Sequence, residues 1–147
     1  MVESQESAGI IVYSHDKEIK FLLLRYPSYW GFARGLIEKN ENFREAAIRE
    51  LKEETNIDKI DILPGFLYEQ KWFFKLKGKL IQKKALFLLG EVSKEEANKV
   101  KISFEHSGFK WVSLKEALEL ITIKNNKEMI ESAFEFINKY ESQKRLF

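Results

Sequence analysis

The segment from Arg34 to Ile57, RGLIEKNENFREAAIRELKEETNI, constrains the fold of this chain more than any other. Asn42 to Thr55 is built almost wholly from good helix formers, with apolar residues returning to one side, so it predicts an amphipathic helix. Asn42 followed three residues later by Glu45 is a variant of the capping box and sets where that helix begins. A helix with one apolar face needs a surface to cover, and the runs on either side of it read as strands.

Before the helix, AGIIVYS (Ala8–Ser14) and IKFLLLRY (Ile19–Tyr26) are apolar and β-rich, separated by the turn sequence HDKE, and PSYWGFARG follows as a loop. After it, strands are expected within Ile60–Leu76 and Lys79–Val92 about a turn at Lys77–Gly78–Lys79. Residues 91–108 are polar and read as loop, and Phe109–Val112 as a short strand. Ser113 and Glu116 form a second capping box opening a helix over LKEALELI. From about Asn126 to Gln143, Ile130, Ala133, Phe134, Ile137 and Tyr140 recur at helical spacing. The order of strands, helix, strands and helices predicts an α+β fold with a mixed sheet between helices, as one domain over residues 1–147.

A net charge of +2 gives no bulk electrostatic reason to expect a nucleic-acid or membrane partner. With no cysteine, disulfides, thiolate metal sites and cysteine nucleophiles are excluded. MVESQESAG lacks the basic and apolar regions of a secretory signal, and no apolar run approaches the roughly 18 residues that span a bilayer. A cytoplasmic protein is the default expectation.

Glu50, Glu53 and Glu54 stand at i, i+3 and i+4, which places them on one side of the helix with Cβ atoms about 5–6 Å apart. Carboxylates that close raise one another's pKa unless a cation sits among them, and Mg²⁺ takes oxygen ligands of this kind. The alternative is a solvated acidic face helped by Arg49 and Lys52. Against it, Glu53 and Glu54 fall in the last turn, where the helix dipole disfavours anions. Spacing alone leaves both readings open.

From Gly35 the order is Gly, five residues, Glu41, seven residues, then Arg49-Glu50-Leu51-x-Glu53-Glu54-x-Asn56-Ile57. This is similar to the Nudix box, with Asn56 where that family has Gly. Asn tolerates the left-handed conformation that ends helices, so the replacement is conservative. The resemblance implies a Nudix-type α/β/α sandwich and a hydrolase using Mg²⁺ or Mn²⁺. It implies Glu50, Glu53 and Glu54 as metal carboxylates, with Glu54 foremost, and Gly35, Glu41 and Arg49 as structural members of the motif.

Beyond the box, FLLLRY, ALFLLGEV and FEHSGFKWVSLKEAL resemble the asymmetrical diadenosine tetraphosphate hydrolases. That branch has Trp-x-x-Pro-Lys-Gly where this chain has Trp30-Gly31-Phe32-Ala33-Arg34-Gly35. The resemblance implies Glu105 as a further catalytic and metal-site carboxylate, with Glu50 or Glu105 accepting the proton of the attacking water. Arg34, Lys83 and Lys84 are candidate phosphate contacts, Phe87 a candidate adenine stacker or core strand residue, and Trp30 a wall of the site or packing beneath its loop. His15 and His106, having no partner at ligand spacing, are expected to be surface or structural residues. The implied reaction is cleavage of a small nucleotide, diadenosine tetraphosphate, to ATP and AMP by a monomer or homodimer. Alternatives are another nucleoside diphosphate derivative (an oxidised triphosphate, a nucleotide sugar or an RNA 5′ end) and a non-catalytic nucleotide- or RNA-binding module.

Overall fold

A computed structural model describes residues 3–145; the extreme ends of the expected 1–147 domain lie outside the described residues. The elements are β1 (Glu3–His15), β2 (Ile19–Arg25), β3 (Trp30–Gly31), β4 (Ala33–Leu36), α1 (Phe43–Thr55), β5 (Asp61–Ile62) and β6 (Tyr68–Leu76). They continue with β7 (Lys79–Glu91), α2 (Lys94–Ala97), β8 (Gly108–Val112), α3 (Leu114–Leu120) and α4 (Lys124–Arg145).

All strands join one mixed sheet. β1 lies at its centre, parallel to β7 from Glu3 opposite Ile81 to Tyr13 opposite Glu91, and antiparallel to both β2 and β4. β6 and β7 form a hairpin, and β8 pairs with β2. Because β1 is covered on both faces, its middle reads as an unbroken apolar run rather than an alternation. Ile11, Tyr13, Phe21, Leu23 and Leu89 face Ile130, Ala133 and Ile137 of α4. Ile10, Val12, Leu22, Leu24 and Leu88 face Ala46, Ala47 and Leu51 of α1. The result is the expected α+β sandwich of helix, sheet and helix.

Both capping boxes form: Asn42 Oδ1 accepts from the Glu45 amide at 2.8 Å, and Ser113 Oγ accepts from the Glu116 amide at 3.2 Å. Asn56 ends α1 in the left-handed region at φ 68°, as the Asn-for-Gly replacement requires. Elsewhere the structure departs from the sequence reading. β1 begins at Glu3 because its polar first residues gain backbone pairing while their side chains remain largely exposed. The loop before the helix contributes β3 and β4, and the polar stretch 91–108 holds α2, capped by Ser93. Among the described residues no helix is long and apolar enough to cross a membrane.

Candidate active site

β4 runs beside β1 and carries Arg34 and Gly35 past the C-terminal half of α1. A Cβ on Gly35 would overlap the Glu50 carboxyl group, so glycine leaves the space in which that side-chain end lies against the strand. The Arg34 backbone amide donates to Glu54 Oε2 at 3.1 Å. The loop after α2 closes the other side. Its Lys101 and Ser103 amides donate to the carbonyls of Thr55 and Glu54, taking up acceptors that the helix end leaves free. The same loop delivers Glu105 and His106.

Ligand atoms of Glu54, Glu105 and His106 lie within 4.8 Å of one another. His106, expected as a surface or structural residue with no partner at ligand spacing, is not at the surface and has a partner distant in sequence. Its ring is buried, its Nε2 lies 2.7 Å from Glu54 Oε1, and it meets Tyr26 edge-on at 4.5 Å. Burial first, and then the charges of Glu50 and Glu105, push the Glu54 carboxyl up to about 9. Burial also lowers the His106 pKa.

Arg49 ties α1 to the loop before it. Its Nε donates to Glu41 at 2.7 Å, its Nη1 to Glu50 at 2.9 Å, and its Nη2 to the Leu36 carbonyl at 3.1 Å. Arg49 and the Glu38 amide hold Glu41 down at about 2, so it stays ionised throughout the neutral range. Glu53 shares Arg49 at 3.3 Å with its side chain 58% exposed, and neither it nor Glu50 belongs to the group that Glu54, Glu105 and His106 form. Adjacent helix positions diverge by about 100°, which separates Glu53 from Glu54 although each neighbours Glu50.

Beside the carboxylates lies a cavity of about 330 Å³, lined by Tyr29, Phe32, Arg34, Trp72 and Phe87 among others. The Arg34 guanidinium lies over the Trp72 ring at 5.2 Å, and Lys83 Nζ over the same ring at 5.9 Å. Burial and the Arg34 charge lower the Lys83 pKa. Phe87 is both things the sequence allowed, a core residue by burial and a wall of this cavity. Two candidates lie elsewhere. Lys84 points to the opposite face of β7, toward Glu6 and Glu69, because neighbouring strand residues alternate. Trp30 is absent from the cavity wall and packs with Arg25 and Lys110 over its ring. Trp72, Gln70 and Asn126 line the cavity without having been singled out, since nothing local to them in the sequence marks a site.

The donor set suits a hard divalent cation. Glu50, Glu54 and Glu105 are oxygen ligands whose mutual repulsion a cation would relieve, and the Glu54 carboxyl gives up a proton to take it.

The family model described as NUDIX domain matches residues 3–133. The chain belongs to the Nudix family. It is 31% identical over 143 residues to the Bis(5'-nucleosyl)-tetraphosphatase [asymmetrical] of Mus musculus, covering 89% of this chain and 94% of that one. It is also 30% identical over 146 residues to the dihydroneopterin triphosphate diphosphatase of Haemophilus influenzae, covering 88% and 87%. The solved binary complex of a C. elegans Ap4A hydrolase superposes with TM-score 0.78 at 28% identity, covering 92% of this chain and 98% of that one. As a Nudix hydrolase this protein thus has relatives named for more than one substrate.

Proposed function

We propose that this Nudix hydrolase, a single domain acting as a monomer or homodimer, cleaves a dinucleoside polyphosphate, diadenosine tetraphosphate first, into ATP and AMP. The observation that carries the reading is the double engagement of Arg34. Its backbone amide holds Glu54 while its guanidinium lies on Trp72 in the aromatic cavity. A nucleoside held in that cavity therefore has its phosphates next to the carboxylates.

Glu50, Glu54 and Glu105 would hold Mg²⁺, or Mn²⁺ in its place. When bound, the cation supplies neutralisation of phosphate charge and polarisation of the phosphoryl oxygens. The remaining work belongs to the chain. Arg34 and Lys83 bind phosphate oxygens as a planar fork and a point charge. Tyr29 receives a hydrogen bond from Arg34 Nη2 at 3.2 Å, which holds the guanidinium in the cavity wall. Glu50 or Glu105 accepts the proton of the attacking water on a carboxylate oxygen as the new P–O bond forms and the phosphate chain departs. Glu54, hydrogen-bonded by Arg34 and His106, is the fixed member of the group.

Product analysis with diadenosine tetraphosphate and Mg²⁺ tests this. ATP and AMP are expected, with a loss of about 10²-fold or more in Glu54→Gln. Two ADP products would refute asymmetric cleavage. The similarity to a dihydroneopterin triphosphate diphosphatase favours a second reading, hydrolysis of another X-linked diphosphate. Side-by-side rates on a pterin triphosphate, a nucleotide sugar and a triphosphorylated RNA end separate the two.

A further inference from the structure

One wall of the aromatic cavity is polar in an unusual way. Gln70 on β6 and Asn126 on α4 are only 7% and 8% exposed, yet both line the cavity. Gln70 Nε2 donates to Asn126 Oδ1 at 3.0 Å and also lies 3.7 Å from Met129 Sδ. Two amides joined by one such bond have one oxygen and one NH₂ to spare. Here these are Gln70 Oε1 and Asn126 Nδ2, and neither has a hydrogen-bond partner among the described residues. Neither is among the fully enclosed unpaired polar atoms, so both stay open to the cavity, where a ligand or water can engage them.

We infer that the Gln70–Asn126 pair reads the hydrogen-bonding edge of the base, and accepts a 6-amino or a 6-oxo purine equally. This deepens, and rests on, the reading of the cavity as a nucleoside site. An adenine edge offers the 6-amino donor beside the N1 acceptor, which matches Gln70 Oε1 and Asn126 Nδ2. Turning both amides over together preserves the bond between them, with Asn126 now donating to Gln70. It exchanges the free donor and acceptor, and the reversed pair matches O6 and N1–H of a 6-oxopurine. Phe87 and Trp72 supply flat apolar walls that are indifferent to the base's polar pattern. Two coupled amides therefore discriminate a base from bare ribose phosphate without choosing between the purines.

Calorimetric titration of the full chain with AMP, GMP and ribose 5-phosphate tests the inference without relying on turnover. AMP and GMP should bind within about 3-fold of each other, and each about 10-fold or more tighter than ribose 5-phosphate. Asn126→Asp replaces the free donor by an acceptor. The resulting pair of acceptors suits N1–H and N2–H of guanine, so the AMP-to-GMP ratio of Kd should rise about 10-fold or more. Gln70→Glu makes the same change from the strand side and serves if the first variant loses its cooperative thermal transition. An unchanged ratio in a folded variant overturns the inference, as does wild-type binding of ribose 5-phosphate as tight as AMP. Normal base discrimination without cleavage of diadenosine tetraphosphate would instead remove the proposed substrate and leave the amide pair standing.

Discussion

His106 Nε2 lies 2.7 Å from Glu54 Oε1, with both side chains buried, although 52 residues separate them in the chain. The contact joins the end of α1 to the loop that carries Glu105, so two carboxylates from distant segments are positioned through one imidazole. A group that orients a metal carboxylate commonly sets metal affinity by a factor of about 10–100. His106→Ala is expected to raise the Mg²⁺ concentration for half-maximal rate by that factor, with the KM for nucleotide at saturating Mg²⁺ little changed. His106→Gln, which keeps a polar atom in reach of Glu54, should recover part of the loss. Metal titrations of the rate on all three proteins decide it, and equal half-saturation would exclude the positioning role.

Glu54 makes a prediction about stability as well. Its carboxyl rises from an ordinary 4.5 to about 9 in the folded chain, through burial first and then the charges of Glu50 and Glu105. Between those values the folded state keeps a proton that the unfolded chain has released. Stability from this group is therefore full below about pH 4.5 and declines as pH rises toward 9. In EDTA, the wild type should lose Tm relative to Glu54→Gln as pH is raised from 5 to 8.5. Added Mg²⁺ should reverse that trend, because the metal binds the deprotonated carboxylate. Parallel Tm curves for the two proteins in EDTA would contradict the protonated state of Glu54.

What could be read in the sequence follows from how local each interaction is. Asn42 with Glu45 and Ser113 with Glu116 act within one helical turn, so both helix starts were legible. Ser93 with Glu96 carried a similar signal for α2, masked by the polar composition around it. Glu50, Glu54 and Glu105 came from the motif and the branch resemblance, and the structure gathers them. Glu53 came from helical spacing and the motif and lies exposed beside Arg49, whereas Lys84 was grouped with Lys83 and strand alternation turns it toward Glu6 and Glu69. The pairing of His106 with Glu54 and of Gln70 with Asn126 spans 52 and 56 residues, which no local pattern encodes.

Gly35 is expected to set where the Glu50 carboxylate lies. A methyl group there must displace the Glu50 carboxylate, which Arg49 also holds at 2.9 Å. The displaced atoms are the end of a flexible, partly exposed side chain, so the fold gives way at little cost while the carboxylate loses its place. Gly35→Ala should leave the urea midpoint little changed and reduce kcat by about 10-fold or more, because Glu50 is one of the two candidate bases. A fully active variant would show that Glu50 does not need its place against the strand.

Lys83 and Lys84 form an internal comparison, since they are adjacent, equally charged and on opposite faces of β7. Lys83 shares the Trp72 ring with Arg34 in the cavity wall, while Lys84 lies 3.8 Å from Glu6 and 3.7 Å from Glu69. Lys83→Ala should therefore raise the KM for diadenosine tetraphosphate about 10-fold, as loss of a charge-assisted phosphate contact of roughly 1.5 kcal/mol implies. Lys84→Ala removes only half-exposed ion pairs, worth about 0–1 kcal/mol in stability, and should leave KM within about 2-fold. Steady-state kinetics on the two variants at one ionic strength distinguish a sided phosphate contact from a general effect of net charge. If both lysines raise KM alike, attraction by the overall positive field is the better account, and Lys83 loses its place at the phosphates.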